Sequence, residues 1–171
     1  AIIDDAIDLD HEDLAANIFT NWAEYNGTAG LDDDFNGYVD DINGWDFAEN
    51  DNDPNPVIDS QNHGTHVAGL LSATTDNNIG IASTAFNCSI MSVKCTGDDE
   101  DPQYITNSQS GIIYAAKAGY YSQGFSIVNC SFGGGGYNSY EQDVMDILRN
   151  DYNALIFAAA GNGDWGEDDS P

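Results

Sequence analysis

The chain has 171 residues, 41% of them hydrophobic, and carries 30 Asp and Glu against three Lys and Arg, for a formal net charge of −27. This length, with nine Tyr and seven Phe, suffices for a folded domain with a substantial core and argues against disorder. A surface this acidic repels nucleic acid and anionic membranes and favours divalent cations. No run of about eighteen apolar residues offers a membrane span.

The first predicted element is a short apolar strand, residues 1–3, which ends on the carboxylate of Asp4. Parallel α/β sheets place functional groups at the carboxyl ends of their strands, so Asp4 is a candidate functional residue. The acidic residues that follow, Asp5, Asp8 and Asp10, are interpreted as solvated loop charges. A carboxylate directly beside Asp4 also predicts that like-charge repulsion raises the pKa of Asp4.

Residues 30–43 form an acidic loop in which oxygen-bearing side chains alternate along the chain. This spacing is typical of calcium loops, where ligands at positions one, three and five surround the ion and the carbonyl at position seven adds another. The twelfth position is Asn43 rather than Glu, so a complete EF-hand is not predicted, and a plain acidic turn is the alternative. The predicted ligands are Asp32, Asp34, Asn36, the carbonyl of Tyr38, and Asp40 or Asp41.

Residues 61–71 combine two histidines with the apolar spacing of a helix. Asn62 is a suitable N-cap for that helix, which places His63 in the first turn, where an imidazole can face a cleft. In the alternative interpretation, His63 only caps the helix and His66 is a core histidine. The pair also suggests zinc, but the Glu of an H-E-x-x-H motif and Cys ligands at finger-like spacing are missing.

From Cys88 onward, predicted strands alternate with predicted helices. This alternation is typical of right-handed βαβ units, which form a mostly parallel sheet with helices on both faces. The glycines after the later strands lack the Lys-Ser/Thr of a phosphate loop, so no organic cofactor is expected. The three thiols are interpreted as buried apolar groups rather than a disulfide framework. The strands are 89–95, 126–132 and 154–160, the helices are 105–121 and 140–152, and the thiols are Cys88, Cys95 and Cys130.

Taken together, these segments resemble the subtilisin-like serine proteases (subtilases, peptidase family S8). His63-Gly64-Thr65-His66-Val67-Ala68-Gly69 matches the family's histidine motif. The segment from Asp4 matches the aspartate motif, except that Asp5-Ala6 stands where the family has Ser/Thr-Gly. The resemblance implies a three-layer subtilisin-like α/β fold and peptide-bond hydrolysis by an Asp-His-Ser triad. In that mechanism Asp4 orients the imidazole, His63 is general base and then general acid, and Asn162, outside the triad, stabilises the oxyanion.

The same resemblance implies where substrate and calcium bind. Ser131, Phe132, Gly133 and Gly134 resemble the strand that pairs with an extended peptide. Residues 74–82 resemble a calcium loop, with a plain loop as the alternative. Polypeptide substrates and a propeptide or inhibitor are the implied partners, Ca²⁺ is the implied structural ion, and the implied location is extracellular. The implied ligands of this second calcium site are Asp13, Asn77 and the carbonyls of Thr75, Ile79 and Ile81.

The chain contains neither the Gly-Thr-Ser-Met-Ala context of the family's nucleophile nor a G-x-S-x-G motif. We therefore expect residues 1–171 to be the N-terminal part of a single peptidase domain, with an acidic calcium-loop insertion at 30–43, and to be inactive alone. Two alternatives remain. One is a catalytically inactive pseudoprotease, suggested by Asp5-Ala6, and the other is an acidic calcium-binding structural domain, suggested by the net charge.

Overall fold

The computed structural model describes residues 1–100, 104–134 and 137–162. Short strands and helices alternate through this part of the chain. The strands are β1 (Ile2–Asp4), β2 (Gly44–Asp46), β3 (Ser92–Lys94), β4 (Ser126–Cys130) and β5 (Ala154–Ala158). The helices are a 3₁₀ turn (Ala15–Asn17), α1 (Trp22–Tyr25), α2 (His63–Ser72), α3 (Ser108–Gln123) and α4 (Ser139–Asp151).

The described strands form one sheet in the order β2-β3-β1-β4-β5, and each pairing is parallel. The predicted α/β class with a mostly parallel sheet is therefore confirmed. Strand β2 was not predicted, because Gly44-Trp45-Asp46 is too short and too polar to give an apolar strand pattern. It becomes a strand through its backbone pairing with β3.

Helices cover both faces of the sheet because alternate residues of a strand point to opposite sides. Ile3 of β1 belongs to the larger apolar cluster, together with Ala116 of α3 and Leu148 of α4. Its neighbour Ile2 belongs to a second cluster, which includes Ala68 of α2. The predicted layers of helix, sheet and helix are thus present, with α2 on one side and α3 and α4 on the other.

Several helices and strands begin or end at residues other than those predicted. Helix α3 begins at Ser108 rather than residue 105, after Asn107 adopts a left-handed conformation with φ of 51°. The predicted strand 89–95 is reduced to β3, because the backbone of Ile90 bonds instead to the carbonyl of Asn17 and the N–H of Phe19. Cys95 and Cys130 are buried as predicted, but Cys88 is exposed, so the prediction is wrong for that thiol.

Strand β5 lies at an edge of the sheet, and the surface beside it is apolar. Ile127 of β4 and Leu155 and Phe157 of β5 are 52%, 53% and 52% exposed. They point away from the cluster formed with α3 and α4, and hence toward the side that α2 occupies nearer β1. Among the described residues no helix covers this surface. None of the described helices has both the length and the apolar character needed to cross a bilayer.

Candidate active site

The carboxylate that ends β1 meets the first residue of α2. Asp4 Oδ1 lies 2.7 Å from His63 Nδ1 and accepts a second bond, of 2.8 Å, from the backbone N–H of Asp5. The side chain of Asp4 is 3% exposed, whereas that of His63 is 53% exposed. One imidazole nitrogen is therefore held by a buried acid while half of the ring surface is open. This geometry is that of a general base oriented by a carboxylate.

The two partners shift each other's protonation. The hydrogen bond to Asp4 raises the pKa of His63, and partial burial of the imidazole opposes the rise. Burial raises the pKa of Asp4, and its bonds from His63 and from the Asp5 backbone oppose that rise. The charge of Asp5 also raises the pKa of Asp4, as predicted, but it contributes less than burial. Asp4 Oδ2 is buried and receives no hydrogen bond from the described residues.

The raised pKa of His63 gives a prediction for its titration. Because a general base must be neutral to accept a proton, the raised pKa means that the competent, neutral imidazole becomes populated at a higher pH than in an unperturbed histidine. We expect Asp4→Asn to lower the pKa of His63, since the variant removes the negative charge that stabilises the imidazolium. NMR titration of the imidazole protons measures this, with the exposed Asp10→Asn as a matched control. An unchanged midpoint in Asp4→Asn would contradict the pairing.

The beginning of α2 differs from the sequence prediction. Asn62 makes no side-chain cap, and its amide donates instead to the carbonyl of Asp59. The backbone N–H groups of His63 and Gly64 donate to the carboxylate of Asp5, at 3.1 and 2.8 Å. Asp5 is completely buried, so its interpretation as a solvated loop charge is wrong. Asn62 occupies the N-cap position as predicted, but the predicted capping bond from its side chain is absent.

The N-terminus of α2 lies directly on the turn after β1. A Cβ added at Gly64 would lie 2.3 Å from the carbonyl oxygen of Ala6 and 2.9 Å from the Cβ of Asp4. Only glycine permits this approach, which brings the first turn of the helix to the carboxylate of Asp4. His66, three residues further on, is exposed, so the alternative interpretation of a core histidine is wrong.

The segment predicted to bind substrate follows β4, and the segment predicted to stabilise the oxyanion follows β5. Both therefore lie at the carboxyl ends of the strands, as Asp4 does. Register pairs Ile3 with Cys130 and Cys130 with Ala158, so Asp4 and the segments beginning at Ser131 and Ala159 leave the sheet at one level. Parallel sheets concentrate their functional groups at this edge. Gly133, Gly134 and Asn162 are exposed there, whereas Phe132 packs partly against the core.

A cluster of three carboxylates lies beside the acidic loop. Side chains of Glu24, Asp34 and Asp41 bring ligand oxygens within 4.8 Å of one another. Asp34 and Asp41 were predicted as ligands, whereas Glu24, from helix α1, was not. The other members of the predicted set have different contacts. The carboxylate of Asp32 accepts the N–H groups of Asn36 and Gly37, that of Asp40 accepts Gly30 N–H, and the ring of Tyr38 packs on Trp45, Phe47 and Tyr114.

Amide and hydroxyl groups donate hydrogen bonds to this cluster. Asn21 and Asn36 each donate through Nδ2 to Asp34 and Asp41, and Tyr114 donates its hydroxyl to Asp41 at 2.7 Å. Burial, followed by the nearby charge of Asp34, raises the pKa of Asp41 to about 6. Among the described residues, no Lys or Arg forms an ion pair with these acids. His63 and His66 belong to no such metal-ligating group in the described ranges.

The second predicted calcium loop, residues 74–82, contacts the carboxylate of Asp13. Asp13 is buried and accepts Asn77 Nδ2 at 2.7 Å and the N–H of Ile81 at 3.1 Å. These two bonds lower the pKa of Asp13. A Cβ at Gly80, whose φ is +53°, would lie 1.9 Å from the Asp13 carboxylate. The loop is therefore folded around Asp13, with Thr75 and Ile79 beside the residues that contact it.

Sequence reasoning missed a buried ion group at the end of β3. Lys94 is fully buried, and its Nζ contacts Asp46 Oδ2 at 2.9 Å and also the carboxylate of Asp98. The signal was available, because Lys94 is one of three cations in the chain and stands inside an apolar run. A lysine in that position must be paired with an acid.

Comparison with known proteins agrees with this geometry. The family model described as "Subtilase family" matches residues 1–171. The chain is 34% identical over 161 residues to "Subtilisin-like protease 1" of Plasmodium falciparum (isolate 3D7), covering 94% of the chain and 22% of that protein. It is 33% identical to "Halolysin-like extracellular serine protease Nep" of Natrialba magadii, covering 95% of the chain and 25% of that protein.

The fold is similar to that of a solved structure named "Sphericase", with a TM-score of 0.67 and 22% identity over 96% of this chain and 46% of that one. The chain therefore spans less than half the length of these proteins. With the family match across its whole length, the paired Asp4 and His63, and the parallel sheet, the chain belongs to the subtilase family.

Proposed function

We propose that the chain supplies the acid–base half of a serine endopeptidase that hydrolyses polypeptides by acyl transfer. The 2.7 Å bond between Asp4 and His63 is the observation that carries the proposal. His63 takes the proton of a serine hydroxyl as that oxygen attacks the scissile carbonyl carbon, and then protonates the leaving amine. Asp4 holds Nδ1 and stabilises the imidazolium. The side-chain amide of Asn162 donates to the developing oxyanion.

An extended peptide substrate is proposed to pair with the backbone of residues 131–134. This segment follows β4 at the edge of the sheet where Asp4 ends β1, and Gly133 and Gly134 leave its backbone accessible. Backbone hydrogen bonds give such strand addition its affinity with little dependence on side chains. A propeptide or protein inhibitor would occupy the same segment.

We further propose that residues 1–171 are the N-terminal part of a single peptidase domain, with residues 30–43 as an acidic insertion. The half-exposed apolar side chains of Ile127, Leu155 and Phe157 support this proposal. Apolar surface of this kind is normally covered by another layer of the same domain. The remaining layer is proposed to carry the nucleophilic serine.

The function is tested on a protein that joins this chain to the sequence that follows it in the gene. We expect cleavage of a chromogenic peptide, and loss of that cleavage with a serine-reactive inhibitor. Residues 1–171 alone are expected to show no cleavage, because they offer no serine in a nucleophile context. A longer protein that folds but fails to cleave any peptide would support the pseudoprotease alternative.

We propose that Ca²⁺ binds at the cluster of Glu24, Asp34 and Asp41. The residues fit a calcium ion, since two of the three carboxylates are almost completely buried and all three offer hard oxygen ligands. A divalent cation would neutralise their mutual repulsion, since no Lys or Arg of the described residues pairs with them. The ion would join helix α1 to the loop at 30–43. A second ion is proposed at Asp13 and the loop that contains Asn77.

The calcium proposal predicts a change in stability. At each site, Ca²⁺ at about 100 times its Kd is expected to add about 2.7 kcal/mol to the free energy of unfolding. Asp41→Asn and Glu24→Gln should lose most of the increment contributed by the first site, and Asp13→Asn that of the second. Thermal unfolding with Ca²⁺ and with EDTA measures the effect. The exposed Asp59→Asn is the matched control. Equal stabilisation of Asp41→Asn and the unmodified chain would exclude the first site.

An extracellular location is proposed on the similarity to Nep, whose name describes it as extracellular. Calcium concentrations outside cells favour sites built from carboxylates and carbonyls. Detection of the native protein in the culture medium, separated from the cells, tests the location. Its recovery in the cell lysate alone would contradict it.

A further inference from the structure

The carboxylate of Asp5 joins two segments that lie 58 residues apart in sequence. Its Oδ1 accepts the N–H of Ala6 at 2.7 Å and that of Gly64 at 2.8 Å. Its Oδ2 accepts the N–H of His63 at 3.1 Å. The side chain has no solvent exposure, so these three bonds replace its hydration completely.

These contacts satisfy the N-terminus of α2. The first N–H groups of a helix have no partner within the helix and carry its positive dipole end. Asn62 leaves them unsatisfied, because its side chain bonds to Asp59. The carboxylate of Asp5 accepts hydrogen bonds from two of these N–H groups and places a negative charge at the positive end of the helix dipole. A capping interaction that is usually local is therefore made across the active site.

A serine in this position could not make the same contacts. A hydroxyl has a single oxygen and carries a proton of its own, whereas a carboxylate has two oxygens and accepts three N–H groups here without donating. The replacement of the family's Ser/Thr by Asp5 therefore has a structural use in this chain. It fixes the helix that carries His63 onto the turn that carries Asp4.

We propose that Asp5 is a positioning residue that holds His63 against Asp4 by capping helix α2 from the turn after β1. This inference rests on the proposed catalytic role of the Asp4–His63 pair, although the capping itself does not. Asp5 also acts on the imidazole through its charge. Asp4 and Asp5 are the charged groups that raise the pKa of His63, with Asp4 the larger contributor through its hydrogen bond.

The capping is tested first in the unmodified chain, so that the result does not depend on whether a variant folds. Amide protons held in a hydrogen bond exchange slowly with solvent, whereas the first N–H groups of a helix have no partner within the helix. We expect slow exchange at the amide protons of His63 and Gly64, because the carboxylate of Asp5 accepts both. Exchange at either amide as fast as in an unfolded peptide would overturn the proposal whether or not the domain hydrolyses peptides.

Variants then test the effect on His63. Asp5→Asn keeps the shape of the side chain but removes its charge and turns an N–H donor toward backbone donors. We expect a lower His63 midpoint by NMR and at least about tenfold faster hydrogen exchange at Gly64, because a hydrogen bond to a charged group is lost. Asp5→Ser should behave similarly. Asp10→Asn, an exposed charge on the same segment, should change neither quantity. A His63 midpoint unchanged in a folded Asp5→Asn would overturn the positioning role.

Discussion

His63→Ala is expected to reduce kcat by roughly 10⁶-fold in a protein that contains this chain and the serine-bearing remainder of the domain. That size is the one found for subtilisin, a member of the same family. The loss is large because no other described side chain bonds to Asp4 from a position where it could accept the serine proton. KM should change little, since the substrate is proposed to bind through the backbone of residues 131–134.

His66→Ala is the matched control for this variant. His66 lies on the same helix, three residues further on, and is exposed. It should therefore leave kcat unchanged, and steady-state hydrolysis of a chromogenic peptide distinguishes the two variants. Comparable losses in His63→Ala and His66→Ala would contradict the assignment of the general base.

Lys94→Met is expected to lower the free energy of unfolding by about 3–5 kcal/mol. Lys94 is fully buried against Asp46, which is itself 1% exposed, and the variant leaves that carboxylate buried without its cation. The effect should reach the active site, because β3 pairs with β1 and the N–H of Cys95 donates to the carbonyl of Asp4. Urea denaturation measures the change.

Two further variants distinguish the cost of leaving the Asp46 carboxylate buried without a cation from the effect of replacing a lysine as such. The double variant Lys94→Met with Asp46→Asn should recover much of the stability, because it removes the uncompensated charge. Lys117→Met, at an exposed position, should cost no more than about 0.5–1 kcal/mol. Equal effects of Lys94→Met and Lys117→Met would mean that the buried pair does not contribute as proposed.

The residues whose roles could be predicted from sequence are those with a local pattern. Asp4 directly ends an apolar strand, and His63 stands where a polar loop meets a helical apolar spacing. The alternation of strands and helices predicted the fold class, and the pairing of Asp4 with His63, which the family resemblance implied, is present in the structure at 2.7 Å. Strand β2 has no such pattern, since it becomes a strand only through pairing with β3.

The contacts that could not be predicted join distant segments. Asp5 caps a helix 58 residues away, and Glu24 meets Asp34 and Asp41 only after α1 folds against the acidic loop. Nothing in the neighbouring residues separates these two acids from the other 28 in the chain. Burial distinguishes them, because a buried carboxylate must find donors or a cation.

We propose above all that this chain provides the general base and its orienting carboxylate for a peptidase whose nucleophile lies outside residues 1–171. Labelling the longer protein with a fluorophosphonate, followed by peptide mass spectrometry, tests it most directly. We predict one modified serine outside these residues and loss of labelling in His63→Ala. Modification of a serine within the chain, such as Ser131, or labelling that persists without His63, would contradict the claim.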